Sequence, residues 1–421
     1  MNDQINVAII DDGVNEKLYN TGVLKYNIEI TPNLMIRERK KYDKYKSSHG
    51  TTCAAIIKKY LPYSVLSSIK ILNDKCEGSV EQLSLALKLC ADKEINLINL
   101  SLGSTYFDDF EILKESLEYC YKKGVIIVAA ISNENTYTYP ASLTNIIGVK
   151  CDKKGRIKEG KYIYIENSLD GVNIISSGSH NIKNFKGING ITNNCNSFVV
   201  PFIISEVYNM MKENLHYDLN SVKKYLKQKS SNNLLEEIDI VFKENYVSSD
   251  FQKYLRLKNN LDIPIILVNN FENSSKYNFL YELVNCFRND KYNCVGININ
   301  SNRQINIFQN NVINNYNGNI DKNLFNTIYY IYNPDIFIIN INNDTRYMHK
   351  IRKILEVDIN ILINTNVNNY SSNIVFQREK YENIINIREK RNYKIYENVN
   401  VFVNESKCIP GLYDYLKEVL H

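Results

Sequence analysis

Three reactive side chains stand at places where a strand or helix begins or ends: Asp11 in INVAIIDDG, His49 in SSHGTT and Ser197 in NCNSFVVPF. A serine hydroxyl is a weak nucleophile until a base takes its proton. An imidazole can do so, and a buried carboxylate fixes its tautomer and stabilises the imidazolium that forms. Asp, His and Ser together therefore offer acyl-transfer chemistry. Asp12 adjoins Asp11 and, on residue type alone, competes for the carboxylate role.

These residues need elements that bring them together. The first half alternates apolar runs that predict strands (5–10, 65–72, 95–103, 125–133) with amphipathic stretches that predict helices (51–61, 79–93, 110–124). Ser79 is a helix cap and Gly124 closes the third helix. Such alternation predicts an α/β fold, a doubly wound parallel sheet with helices on both faces. Ligands in such sheets bind beyond the carboxyl ends of the strands, where Asp11, His49 and Ser197 can converge. Helical patterns at 205–215 and 221–231 close a first domain, 1–231. Residues 232–262 read as a connector, and 263–421 as a second α/β domain, with strands over 263–270, 292–300, 334–341 and 359–366 and a helix over 278–289. The Asn-rich segment 309–319 reads as a loop.

With the elements in place, the chain resembles a subtilisin-like serine protease (subtilase, peptidase family S8) across about residues 5–205. VAIIDDG is similar to the family's aspartate motif, with Asp11 at the catalytic position and Asp12 at the Ser/Thr one. HGTTCAAII resembles the histidine motif HGTxVAGxI. INLINLSLG resembles the central strand before the substrate-binding segment, VIIVAAISNEN the VAAAGNE motif, YPAS the same four residues, and NSFVVP the serine motif GTSxAxP. The resemblance implies Ser197 as nucleophile, His49 as base, Asp11 as its orienting carboxylate and Asn133 as the oxyanion side chain. It also implies an extended peptide or protein substrate lying against Ser101, Leu102 and Gly103 and near Gly78 and Ser79. Ser132 would line the primary specificity pocket and Glu134 would favour a basic residue before the cut, or stand as a solvated surface carboxylate. Departures from the pattern are Cys195 and Asn196 for Gly and Thr, Ser132 for Gly, and Val199 and Val200 for small alanines. Bulk at Cys195 is expected to crowd the approach to Ser197, and Ser132 to narrow the pocket. The chemistry requires no cofactor and no metal. The family often binds structural calcium through loops that do not align here, so calcium is left open.

Composition narrows the remaining classes. Lys plus Arg is 51 and Asp plus Glu is 46, a net charge of +5 over 421 residues, too weak for a dedicated nucleic-acid binder. No stretch approaches the roughly 20 apolar residues that span a bilayer. No signal peptide is visible, and a strand begins near the N-terminus, leaving no room for a folded propeptide. Nine cysteines without a CxxC pair read as buried free thiols in a reducing cytoplasm. The other histidines, His180, His216, His349 and His421, match no motif and read as surface or packing residues. Of 16 glycines, 13 precede residue 200, which bears on the second half. There NFENSSKY (270–277) mimics the spacing of GxxxxGK[ST], with Asn270 and Ser275 where glycines belong, Lys276 at the lysine and Tyr277 at the Mg²⁺-binding hydroxyl. The second half thus faintly resembles a degenerate P-loop NTPase. The missing glycines argue against nucleotide hydrolysis and for a recognition or scaffold domain. The reading is an intracellular serine endopeptidase of restricted specificity, such as one maturing a peptide precursor. Its alternatives are a peptide-binding protein on the same fold and a nucleotide-responsive regulator.

Overall fold

The structure, a computed structural model, describes residues 5–231 except 107, 166, 167, 169 and 215. Beyond these it describes 261, 263–270, 279–299, 312–316, 320–342, 345–365, 372–380, 383–386, 401–403 and 408–420. The chain divides into two compact units, Met1–Val241 and Phe242–His421.

The first unit is built on a nine-stranded sheet. Its strands are β1 (Asn6–Asp11), β2 (Leu24–Ile30), β3 (Ile36–Glu38), β4 (Val65–Lys70), β5 (Leu97–Leu100), β6 (Ile126–Ala130), β7 (Ile147–Cys151), β8 (Tyr162–Tyr164) and β9 (Ile174–Ser176), in the order β3-β2-β4-β1-β5-β6-β7-β9-β8. The seven inner strands run parallel, and the edge strands β3 and β8 pair antiparallel. β1, β5, β6 and β7 are buried at every residue, as expected of strands covered on both faces. Their registers set Ile10 beside Leu100 and Leu100 beside Ala129, so β1, β5 and β6 end at one edge of the sheet. That edge collects Asp11, the 101–103 segment and the 131–135 turn.

Helices α1 (His49–Tyr60), α2 (Val80–Asp92), α3 (Asp109–Lys122), α4 (Val199–Glu213) and α5 (Leu219–Lys229) accompany this sheet. α4 is buried without interruption from Val199 to Ser205 and again at Val207, Met210 and Met211. A helix apolar on most of its circumference is stable only inside a core. α4 shares one with Val7, Ile9, Leu97, Val128 and Val149 of the sheet and Cys53, Ala54 and Ile57 of α1. A small hairpin, β10 (Asn181–Lys183) and β11 (Asn189–Ile191), precedes the one-turn 3₁₀ helix Asn196–Phe198 that leads into α4.

The second unit holds a sheet ordered β14-β13-β15-β12-β16-β17-β18, with β19 also on β17. β12 (Ile265–Asn270), β13 (Cys294–Ile299), β14 (Val312–Tyr316), β15 (Ile336–Asn342) and β16 (Ile359–Thr365) run parallel. β17 (Ser372–Lys380), β18 (Asn383–Asn386) and β19 (Val401–Val403) pair antiparallel. One expectation is corrected here. The segment 309–319, read as a loop from its asparagines, contains β14. Asparagine is a poor strand former, but β14 is an edge strand held by backbone pairing to β13 and by Ile313, which is buried. Of the phosphate-loop stretch, Asn270 ends β12. Ser275, Lys276 and Tyr277 lie outside the described residues.

Candidate active site

Asp11 is the last residue of β1 and is completely buried. Its Oδ2 lies 2.7 Å from His49 Nδ1, and its Oδ1 accepts from Asp12 N at 2.8 Å. Burial pushes the Asp11 carboxyl above the usual range, and the bond to His49 opposes this without cancelling it. For His49 burial is the largest single influence and favours the neutral ring. The bond and charge of Asp11, with the charge of Asp12, outweigh it and raise the imidazole above its ordinary value.

Where His49 sits is decided by how α1 starts. Ser48 caps the helix, accepting from Thr51 N, and its own hydroxyl donates to Gly13 O at 2.8 Å. Asp12 supplies a second cap. Its carboxylate accepts from His49 N at 3.0 Å and from Gly50 N at 2.8 Å, satisfying two of the N–H groups that a helix start leaves orphaned and placing negative charge at the positive end of the dipole. Asp12 therefore docks the histidine helix onto the end of β1 and leaves the contact with the imidazole to Asp11. Gly50 makes the close approach possible, since a Cβ there would stand 3.0 Å from Asp11 Cβ and 3.1 Å from Gly13 O.

Ser197 lies in the 3₁₀ turn at the head of α4. Its Oγ donates to Ser101 O at 3.4 Å, and its own carbonyl accepts from Ser101 Oγ at 2.9 Å. Asn99 Nδ2 supports Ser101 Oγ at 3.2 Å, and Cys53 Sγ, one turn into α1, lies 3.6 Å from it. The ring of Phe198 stacks on His49 with centroids 5.2 Å apart and planes inclined by 23°. The Phe198 stacking sets His49 beside the turn that carries Ser197, and among the described residues the serine hydroxyl is turned to Ser101 O. Catalytic hydrogen bonds are often long or unmade until substrate is bound.

Cys195, which replaces a family glycine, has φ −135 and ψ 162, extended backbone that any residue adopts. Gly178 runs close beside it, and a Cβ there would stand 2.3 Å from Cys195 O. Asn196, in the threonine's place, is buried and fully engaged. Its Oδ1 accepts from Cys151 N at 2.8 Å, and its Nδ2 donates to Ser132 O at 2.7 Å, Ile131 O at 3.3 Å and Asn135 Oδ1 at 3.2 Å. This one side chain fastens the turn that carries Asn133. Asn133 itself is exposed. Its Oδ1 accepts from Asn196 N at 3.4 Å, and its backbone carbonyl accepts from Lys153 Nζ.

The residues expected to meet substrate are distributed along the same edge. Ser101 is nearly buried, Leu102 half-buried and Gly103 exposed. A Cβ on Gly103 would meet Tyr139 O at 2.6 Å, and Ser104 and Tyr139 exchange backbone bonds of 2.9 and 2.8 Å, so this segment is already paired along one side. Gly78 and Ser79 are exposed, and Ser79 caps α2 in a reciprocal capping box with Gln82. Ser132 Oγ lies 2.8 Å from Thr136 Oγ1 and accepts from Thr136 N at 3.1 Å, while Ser132 N donates to Thr138 Oγ1 at 2.9 Å. Glu134 is exposed.

Two helpers were not assigned from sequence. Asp12 had a motif position but no cap assignment, and Asn196 was noted only as a departure. A third, His180, is fully buried, which excludes the surface half of its expected reading. The eight described cysteines are all free, but the expected burial holds for only five of them: Cys195 and Cys286 are half-buried and Cys76, in the loop before α2, is exposed. Asp11, His49 and Cys53 place one ligand atom each within 4.8 Å of one another. Metal binding there would break the Asp11–His49 bond and would require ionising a thiol that burial holds well above its usual pKa, so the donor set fits the hydrogen-bonded pair better than an ion.

Comparison with known proteins matches residues 2–236 to the Subtilase family, and the chain belongs to that family of serine proteases. Subtilisin of Bacillus sp. (strain TA39) is 26% identical over 179 residues, covering 38% of this chain and 41% of the relative. The cell wall-associated protease of Bacillus subtilis (strain 168) is 30% identical over 161 residues, covering 35% of this chain and 17% of the relative. The chain thus spans less than half the length of either. Among solved structures, Sphericase is 21% identical with a TM-score of 0.45 over 53% of this chain and 82% of the other.

Proposed function

We propose that the chain is a serine endopeptidase that cleaves peptide bonds through an acyl-enzyme, with Asp11, His49 and Ser197 as its triad. The observation that carries this is the buried Asp11 carboxylate 2.7 Å from His49 Nδ1, at a sheet edge that also holds Ser197. Ser197 Oγ attacks the scissile carbonyl while His49 Nε2 takes its proton, and His49 then returns the proton to the leaving amine. Asp11 holds the tautomer and stabilises the imidazolium. Asn133 Nδ2 and the Ser197 N–H receive the oxyanion. A peptide lies extended along 101–103 and near 78–79, pairing by its backbone. The hydroxyl of Ser132, held by Thr136 where the family carries glycine, favours a restricted substrate, such as a peptide precursor to be matured. Free thiols suit a cytoplasmic setting, and for the second unit we propose a recognition or scaffold role without hydrolysis.

A fluorophosphonate probe tests the reading. Wild-type protein labels covalently, Ser197→Ala does not, and Asn133→Ala labels about 10²–10³-fold more slowly with unchanged thermal unfolding. A wild type that labels no better than Ser197→Ala sinks the peptidase reading. It leaves a peptide-binding protein, the alternative favoured by the serine hydroxyl resting on Ser101 O.

A further inference from the structure

Building on the peptidase reading, we propose that His180 is a positioning residue: it fixes the backbone of Phe198 so that the Phe198 ring stays as a wall on His49. His180 Nε2 lies 2.9 Å from Phe198 O, the carbonyl immediately after the nucleophile. A carbonyl only accepts, so Nε2 carries the hydrogen, and Nδ1 lies 3.1 Å from Tyr60 OH, whose one proton is also within reach of Glu159 Oε1 at 3.3 Å. Glu159 Oε1 also lies 3.3 Å from Nδ1 and pairs with Lys59. Burial holds His180 below the ordinary histidine pKa, consistent with a neutral ring.

The place of these partners in the fold gives the contact its consequence. Tyr60 is the last residue of α1, and His49 is its first. Phe198 is the residue before α4. One imidazole therefore ties the far end of the histidine helix to the head of the serine helix. Ala55, Ile56 and Ile182 close over the junction together with Tyr60 and Phe198. Packing alone does not call for histidine in a site with no solvent exposure, because a buried imidazole is costly unless bonded on both nitrogens and an apolar side chain would fill the space without that demand.

Three variants of the full chain separate positioning from packing. In His180→Gln the amide N–H₂ takes the place of Nε2. In His180→Asn the amide is too short to do so, and in His180→Leu no donor remains. Rates of fluorophosphonate labelling are expected within about threefold of wild type for Gln and at least about tenfold lower for Asn and Leu, misplacement of reacting groups by about 1 Å being enough for such losses. The NMR titration of the His49 ring is expected to move upward in Asn and stay in place in Gln, because a displaced Phe198 ring lets water reach the imidazolium. Wild-type labelling and an unmoved His49 titration in Asn would overturn the proposal, as would equal damage in Gln and Asn. If Leu does not fold, the Gln–Asn pair decides. If wild type does not label at all, the peptidase reading fails, and the His49 titration alone still tests the positioning.

Discussion

His49 is pulled in two directions. Burial favours its neutral form, while Asp11 at 2.7 Å and the charge of Asp12 favour its protonated form and prevail. A base works only when neutral, so the labelling rate of Ser197 should rise with pH through a midpoint above about 6.5, the usual histidine value. Asp11→Asn should lower that midpoint, and a wild-type midpoint at or below the usual value would contradict the assignment. The sign for stability is opposite to that for activity. Because the folded-state pKa is raised, the stabilisation from charging His49 is complete below the unfolded-state value and is lost as pH rises through the folded one. At this scale the Asp11–His49 pair was legible because each residue sits in a short local motif at the end of a strand or the start of a helix. The work of Asp12, Asn196 and His180 was not, since it depends on partners up to 120 positions away, as in the Tyr60–His180 bond. No local spacing encodes that.

The element that most directly places the chemistry is α1. Its start was visible in SSHGTT, but its attachment to β1 through Asp12 appears only when helix and strand meet. Asp12→Ala removes the acceptor of two helix N–H groups and is expected to cost about 1 kcal/mol, read as a lower denaturant midpoint, together with slower labelling. Asp12→Ser, which restores a capping hydroxyl, should recover part of both. An Asp12→Ala protein as stable as wild type would show that Ser48 alone suffices as the cap. Among strands, β1, β4, β5 and β6 were read directly from sequence, whereas β2, β3, β7, β8, β9 and, in the second half, β14 were missed. An edge strand needs only backbone partners and one buried residue, and a composition dominated by asparagine hides both.

For the whole molecule, the uneven glycines acquire a physical account. At Gly50 and Gly103 an added Cβ would stand 3.0 and 2.6 Å from atoms of the first unit, whereas of the two described glycines of the second unit Gly296 would meet only side chains and Gly411 nothing within 4 Å. Each unit has a hydrophobic core of its own, Val7 and Val128 among the residues of one, Val268 and Phe287 of the other. We expect residues 1–241 produced alone to unfold cooperatively and to label with the probe at a rate near that of the full chain. Aggregation or loss of labelling would show that 242–421 completes the first unit. The α/β character of both halves was readable from alternation. A ligand for the second half was not, because the sequence 270–277 carries neither the glycines nor the Ser or Thr that would name one.

The contact between Ser197 Oγ and Ser101 O also has a kinetic side. Freeing the hydroxyl for attack would need rotation about a side-chain torsion, a motion local to Ser197 and not a movement of either helix. A hydrogen bond of about 1 kcal/mol holding the resting form would leave the ready form about fivefold less populated. A peptide strand that displaced the hydroxyl from the carbonyl on docking would release that reserve, so a long substrate would be acylated faster than its binding affinity alone implies.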